Sequence, residues 1–295
     1  MQLIRDIYAS KGAAGRPVIS FEVFPPKTDE GERNLLQKTI PALLEARPDY
    51  CSVTYGAGGS TRDKTLRIVE RIQREHGLTT LAHLTCVNHT REQVGALLDR
   101  IQGLGCRNIL ALRGDPPDGG LFQPPAGGFR YAAELVAFTR QQGGEFSIGV
   151  AGFPEGHIAC AEGKLADWKH LKNKIDAGAD FVITQLFFDN TDFLALRDFL
   201  VKSGVKVPVV PGMIAILSAS QIKRFTQLCG ARLPPAVGTR LDQLEQDDAA
   251  AAEFGIEYAS RQCEHLLREG VPGFHFYTLN KARSTLQVLK NIGLA

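Results

Sequence analysis

Short apolar runs rich in β-branched and aromatic residues alternate along the chain with longer amphipathic stretches. Each short run has the length and composition of a buried strand. Eight are found, at residues 18–24, 50–55, 81–87, 108–113, 146–153, 181–188, 207–214 and 274–279. The stretches between them, such as 33–46, 64–75, 91–102 and 132–142, repeat apolar residues at helical spacing. The pattern therefore predicts β and α elements in regular alternation.

Eight such units in 295 residues predict an α/β fold with an eight-stranded parallel barrel of the TIM type. An open doubly wound sheet more often stops at five or six strands. Residues 1–295 are read as one catalytic domain. The interval at about 220–270 is long enough for two or three helices, and we interpret it as a helical insertion between strands seven and eight.

Composition excludes several classes of function. The formal net charge is +2, from 34 basic and 32 acidic residues, which is too balanced for a nucleic-acid partner. No apolar run approaches the ~20 residues that span a bilayer, and the N-terminus lacks the pattern of a secretory signal. We expect a cytoplasmic enzyme without a membrane partner. Its six scattered cysteines form no Cys-x-x-Cys pair, so we expect reduced thiols.

Barrel enzymes assemble their active sites at the C-terminal ends of the strands, and there Glu22 is the sharpest signal. A carboxylate between Phe21 and Val23 would lose much of its hydration, which raises its pKa unless the group is paired. A raised pKa suits a general acid that works near neutral pH. The alternative is a structural salt bridge to a neighbouring strand.

Other polar motifs are weaker. Arg113 and Asp115 form either a local ion pair or a charged pair for a polar cofactor. The glycine loop at 56–60 would let backbone N–H groups approach a phosphate, but Thr61 breaks the dinucleotide fingerprint. His83 and Cys86 would face opposite sides of a strand, and His157 with Cys160 supplies only two ligands, so no metal is predicted.

Seven motifs, each at a predicted strand end, together resemble the methylenetetrahydrofolate reductase family. They are FEVFPPK at 21–27, SVTYGA at 52–57, AHLTC at 82–86, LRGD at 112–115, PEGH at 154–157, ITQ at 183–185 and FHFYTLN at 274–280. The chain ends soon after strand eight, as in the bacterial single-domain form of the family.

The resemblance implies a flavoprotein oxidoreductase of one-carbon metabolism and methionine biosynthesis that acts on CH-NH groups. FAD would be reduced by NADH or NADPH and would pass hydride to the folate substrate, turning 5,10-methylenetetrahydrofolate into 5-methyltetrahydrofolate in a ping-pong sequence. It also implies a homo-oligomer. The sequence itself carries no signature that separates NADH from NADPH.

The resemblance also assigns roles to residues. Glu22 would be the general acid that opens the folate's five-membered ring, and Asp115 would influence the flavin and the developing cation. FAD contacts would come from Tyr55, Ala57, His83, Arg113, Gly114, Asp115, Tyr131, Ala132, Phe153, His157, Asp167, His170 and Lys174. Donor and folate contacts would come from Thr54, Gln185, Tyr277 and Lys281.

One departure from the family pattern concerns the loop after strand seven. It has no aromatic residue, and Ala219 stands where relatives carry one that stacks on the bound ring, so we expect weaker donor or folate binding. A flavin-independent or ferredoxin-linked reductase is therefore an alternative. A catalytically silent folate- or flavin-binding barrel is another, although the presence of Glu22 and Asp115 argues against it.

Overall fold

Eight parallel strands close into a barrel in which each strand pairs with the next along the chain and β8 returns to β1. The computed structural model describes residues 1–56, 62–116, 120 and 122–295. The predicted TIM-type barrel is confirmed. The strands are β1 (Val18–Val23), β2 (Tyr50–Val53), β3 (Thr79–Thr85), β4 (Asn108–Leu112), β5 (Ser147–Gly152), β6 (Phe181–Leu186), β7 (Val209–Met213) and β8 (Gly273–Tyr277).

Helices surround the barrel. They are α1 (Ile4–Ala13), α2 (Asp29–Asn34), α3 (Ile40–Leu44), α4 (Arg62–His76), α5 (Arg91–Gly103), α6 (Ala132–Gln141), α7 (Lys164–Asp176), α8 (Asn190–Lys202), α9 (Ala219–Cys229), α10 (Pro235–Gln243), α11 (Asp248–Arg268) and α12 (Ala282–Asn291). A π-helical segment, Leu35–Thr39, joins α2 to α3, where Pro41 lacks the N–H that would continue the α-helical ladder.

Helix α1 closes the N-terminal end of the barrel. Its Ile4, Ile7 and Tyr8 side chains pack against residues at the starts of the strands. The N–H of Ile4 donates to Oδ1 of Asn108 at 2.9 Å, which fixes the helix to the start of β4. Because this end is sealed by apolar side chains, the opposite end is left for a ligand site.

The main apolar core lies between the strands and the outer helices. Gly212 of β7 permits a close approach inside the barrel, because a Cβ there would lie 2.1 Å from the carbonyl oxygen of Thr184 and 2.7 Å from the Tyr277 ring.

Three helices, α9 to α11, lie between β7 and β8. Their description as an insertion in a single domain stays a prediction. Among the described helices, none combines the length and apolar character needed to cross a membrane.

Candidate active site

Glu22 lies near the C-terminal end of β1 with its side chain 13% exposed. Its Oε2 is 3.3 Å from Nε2 of His83 on β3 and 3.5 Å from Nε2 of His275 on β8. The Ser52 hydroxyl of β2 donates to the same oxygen at 3.4 Å. Four strands thus bring a carboxylate, two imidazoles and a hydroxyl together inside the mouth of the barrel.

His275 is completely buried, and its Nδ1 contacts a residue of β1. Nδ1 lies 2.8 Å from the hydroxyl oxygen of Ser20, and that hydroxyl also donates to the carbonyl of Phe274 at 3.1 Å. A hydroxyl has one proton. When the Ser20 hydroxyl donates that proton to the Phe274 carbonyl, its oxygen accepts a hydrogen bond from Nδ1–H of His275. In that arrangement Nε2, the atom facing Glu22, carries a proton only when the imidazole is positively charged.

The prediction of a raised Glu22 pKa is wrong. Burial by itself raises the pKa of Glu22, but the interactions with His275 and His83 outweigh burial and lower it to about 2. The His83 contact is close without being a directed hydrogen bond, since Nε2 of that buried ring has no hydrogen-bond partner. Glu22 is therefore ionised at neutral pH.

A second polar cluster lies beyond β4 and β5, where many of the predicted flavin contacts meet. His157 stacks edge-on against Phe153 with the ring centres 4.5 Å apart. Burial lowers the pKa of His157, the charge of Arg113 lowers it further, and Asp167 opposes both effects. The structure therefore brings Arg113, Phe153, His157 and Asp167 into one electrostatic neighbourhood.

Lys174 belongs to the same cluster and is not a solvated helix lysine. Its ammonium donates to the carbonyl of Ala151 on β5 at 2.5 Å and lies 5.9 Å from the centre of the Phe153 ring. Burial lowers the pKa of Lys174 to about 8, against the opposing charge of Asp167. The group is held inside the site, where its two other N–H groups suit an anionic ligand.

Asp167 and His170 lie on α7 three residues apart, so they share one face of the helix. Asp167 is 9% exposed, and its buried Oδ2 has no hydrogen-bond partner. A buried acceptor without a donor is costly, and such an atom commonly awaits a ligand.

Arg113 and Asp115 form the expected local ion pair, with 3.5 Å between Nη2 and Oδ1. Gly114 between them has a φ of +80°, and a Cβ there would meet Cγ1 of Val87 at 2.7 Å. The glycine turns the chain out of the barrel wall. The Asp115 side chain is consequently 82% exposed.

The remaining predicted flavin contacts border the same end of the barrel. The Tyr55 hydroxyl lies 3.3 Å from Nε2 of His89, and burial raises the pKa of Tyr55 to about 12. Tyr131 is exposed and precedes α6, whose first residue is the buried Ala132. Ala57 lies outside the described residues.

The predicted donor and folate contacts are spread around the mouth. Thr54 follows β2, and Tyr277 pairs in register with Glu22 and donates to the carbonyl of Thr184 at 2.7 Å. Gln185 lines a shallow cleft together with Phe153. Lys281 is exposed before α12. The cleft therefore connects a predicted folate contact with a predicted flavin contact.

Comparison with known proteins gives the same assignment along nearly the whole chain. The family model described as methylenetetrahydrofolate reductase matches residues 7–293. The 5,10-methylenetetrahydrofolate reductase of Pectobacterium carotovorum subsp. carotovorum is 39% identical over 281 residues, covering 95% of this chain and 91% of that protein. The chain belongs to the methylenetetrahydrofolate reductase family.

Other relatives of the family are longer. The Zea mays protein named methylenetetrahydrofolate reductase (NADH) 1 is 38% identical over 304 residues, which are 100% of this chain and 51% of that protein. The chain spans about half the length of the plant relatives. A solved structure titled as an uncharacterised Clostridium thermocellum protein that binds two copies of 5-methyl-5,6,7,8-tetrahydrofolic acid superimposes with a TM-score of 0.66 at 16% identity, over 98% of this chain and 97% of that one. This likeness concerns the fold alone.

Ala219 does not line the ligand site as the family pattern suggested, whereas the expectation of weaker donor or folate binding stays a prediction. Ala219 is the first residue of α9 and is 0% exposed, packed in a cluster with Ile214 and Ile222. Its methyl group faces protein on all sides, so it offers no surface to a ligand ring.

Sequence reasoning gave no role to Ser20, Ser52 or His275, although all three surround the family's predicted acid. The signal was strand parity, because Ser20 and Glu22 are two residues apart and so share the inner face of β1. Ser20 pairs with His275 and Glu22 pairs with Ser52. Knowledge of how neighbouring strands pair, residue by residue, would have placed these polar residues side by side.

Proposed function

We propose that this chain reduces 5,10-methylenetetrahydrofolate to 5-methyltetrahydrofolate, using a nicotinamide donor and FAD. The observation that supports the reaction best is the buried carboxylate of Glu22 in contact with His83 and His275 at the open end of the barrel. Opening the folate's five-membered ring needs a proton at the departing nitrogen, and a buried acid–imidazole group is suited to deliver one.

The residues around β4 and β5 fit a flavin dinucleotide. Arg113 and the half-buried Lys174 offer N–H donors to phosphate, and the unpartnered Oδ2 of Asp167 offers an acceptor to hydroxyl or ring N–H groups. When bound, FAD supplies reversible hydride transfer, so that donor and folate react in turn. The exposed carboxylate of Asp115 stands beside the same cluster, so it would lie next to a flavin held there.

We assign proton delivery to Glu22 and its histidines as a unit. A carboxyl group with a pKa of about 2 holds no proton at neutral pH. Nε2 of His83 and Nε2 of His275 lie 3.3 and 3.5 Å from Oε2 of Glu22, so a proton can pass between an imidazole and the carboxylate when a folate nitrogen arrives. The proton then goes to the folate nitrogen, and hydride goes to the one-carbon unit.

The test uses the full chain and visible absorbance. We expect about one equivalent of FAD per chain, bleaching by NADH without folate, and return of the oxidised spectrum when 5,10-methylenetetrahydrofolate is added. NADH is the first donor to try because the maize relative is named for it. A protein that stays colourless in excess FAD would refute the flavin, and bleaching that no folate reverses would refute the substrate.

A further inference from the structure

A group of three potential metal ligands lies at α7 and the loop that precedes it. One ligand atom each from Cys160, Asp167 and His170 falls within 4.8 Å of the others. The sequence pattern paired Cys160 with His157, but Nδ1 of His157 already accepts from the N–H of Ala159 at 3.0 Å. The imidazole that accompanies Cys160 is that of His170.

Local structure holds the three groups in place. Asp167 and His170 lie one turn apart on α7, and the N–H of Cys160 donates to the carbonyl of His157 at 2.9 Å, in a turn that directs the thiol toward the helix. The N–H of Gly163 closes the next turn on the carbonyl of Cys160 at 3.1 Å. The ligands therefore come from one helix and the loop that precedes it.

The buried carboxylate is the independent sign that the group awaits a ligand. Asp167 is 9% exposed, and its Oδ2 has no hydrogen-bond partner. Glu162 adds a second negative charge, with its Oε2 3.6 Å from Sγ of Cys160. A cation would satisfy both charges.

We propose that Cys160, Asp167 and His170 bind a zinc-type divalent cation in the flavin-free protein. One thiolate, one imidazole and one carboxylate are ligands that Zn²⁺ accepts, with the fourth position left to water or Glu162. Tetrahedral zinc with ligands at about 2.0–2.3 Å places them about 3.3–3.8 Å apart. Atoms already within 4.8 Å reach that spacing by side-chain rotation.

Flavin and metal would exclude each other, a consequence that rests on the proposed function. Asp167 and His170 are also the predicted flavin contacts, so one carboxylate would serve either ligand. Cys160 distinguishes them, because it is a ligand of the metal and has no assigned role toward FAD. Metal binding would thus hold the protein in its flavin-free form.

The experiment titrates Co²⁺ into the reduced, flavin-free full chain and follows the thiolate-to-cobalt absorption band. We expect one equivalent to bind with that band and Zn²⁺ to displace it. Cys160→Ser should abolish the band and weaken Zn²⁺ binding at least ~10-fold, while the control Cys229→Ser, at the other half-exposed cysteine, keeps both. Cobalt binding without the band, or unchanged binding by Cys160→Ser, overturns the proposal.

A second measurement stands if a variant fails to fold. Zn²⁺ should slow alkylation of Cys160 in the wild-type chain at least ~10-fold, read by peptide mass spectrometry, and no protection overturns the site. Loading FAD first should suppress Co²⁺ binding. If FAD does not affect cobalt binding, the metal site stands and Asp167 and His170 are not flavin contacts. If the chain binds FAD but no cobalt, the metal site is refuted and the proposed flavin site is unaffected.

Discussion

The low pKa of Glu22 makes stability depend on pH in a way that one substitution isolates. In the folded chain the pKa of Glu22 is about 2 against an ordinary value of 4.5. The folded state therefore favours the carboxylate, and this contribution is complete above the unfolded pKa and is lost as pH falls from about 4.5 through 2. The Glu22→Gln variant has no titrating carboxyl at this position, so its free energy of unfolding lacks this pH-dependent contribution.

The magnitude follows from the two pKa values. A tenfold change in acid dissociation is worth about 1.4 kcal/mol, so the carboxylate contributes at most about 3 kcal/mol near pH 5. At pH 3 about 1.4 kcal/mol remains, which means that about 2 kcal/mol is lost between those two pH values. These are upper bounds, because the His83 contact is not a directed hydrogen bond.

The assay is urea unfolding of wild type and Glu22→Gln at a series of pH values from about 7 to 3. We expect the difference in unfolding free energy to narrow by up to about 2 kcal/mol on acidification, since titrating groups that do not contact Glu22 cancel between the two chains. Glu257→Gln is the control, because this exposed carboxylate lies 3.6 Å from Arg261 and should contribute less than about 1 kcal/mol. A wild-type advantage that stays constant with pH would show that the histidines do not lower the Glu22 pKa.

Three further substitutions test the site. Glu22→Gln should leave flavin reduction by NADH intact and slow folate reduction ~10²-fold or more, and equal losses in the two half-reactions by stopped flow would indicate a structural role. Lys174→Met should weaken FAD binding at least ~10-fold while circular dichroism shows an intact barrel, because it removes a half-buried ammonium; unchanged affinity would remove Lys174 from the flavin site. Ala219→Phe should lower stability by about 1–3 kcal/mol through overpacking, and tighter folate binding without a fall in the thermal midpoint would show that this position faces the ligand after all.

The barrel was accessible from the sequence because each strand is a short apolar run and each helix carries its own periodicity. Helix α5 even shows its start, since Thr90 and Gln93 form a capping box. The cluster of Cys160, Asp167 and His170 could not be predicted from the sequence. Asp167 and His170 sit at helical spacing, but Cys160 reaches them through loop turns that no periodicity describes.

Lys174 shows the same limit for a single side chain. A lysine on an amphipathic helix is usually solvated, and only the packing of α7 against β5 places its ammonium on the carbonyl of Ala151. Ala219 fails in the opposite direction. Its position in a motif suggested a ligand surface, whereas the start of α9 is buried under its neighbours. Exposure depends on how elements pack, and a motif records only their order.

The error over Glu22 has a specific physical origin. Its apolar neighbours Phe21 and Val23 are one residue away, so in a strand they point to the opposite face and pack in the layer between strands and helices. These two neighbours therefore do not indicate which side chains surround the Glu22 carboxylate inside the barrel. That interior is set by Ser20, two residues before it, and by Ser52 and His275 from neighbouring strands, all of them polar. For an ionisable residue in a barrel strand, the second neighbours and the registered partners therefore predict the direction of the pKa, because they are the groups that share its face.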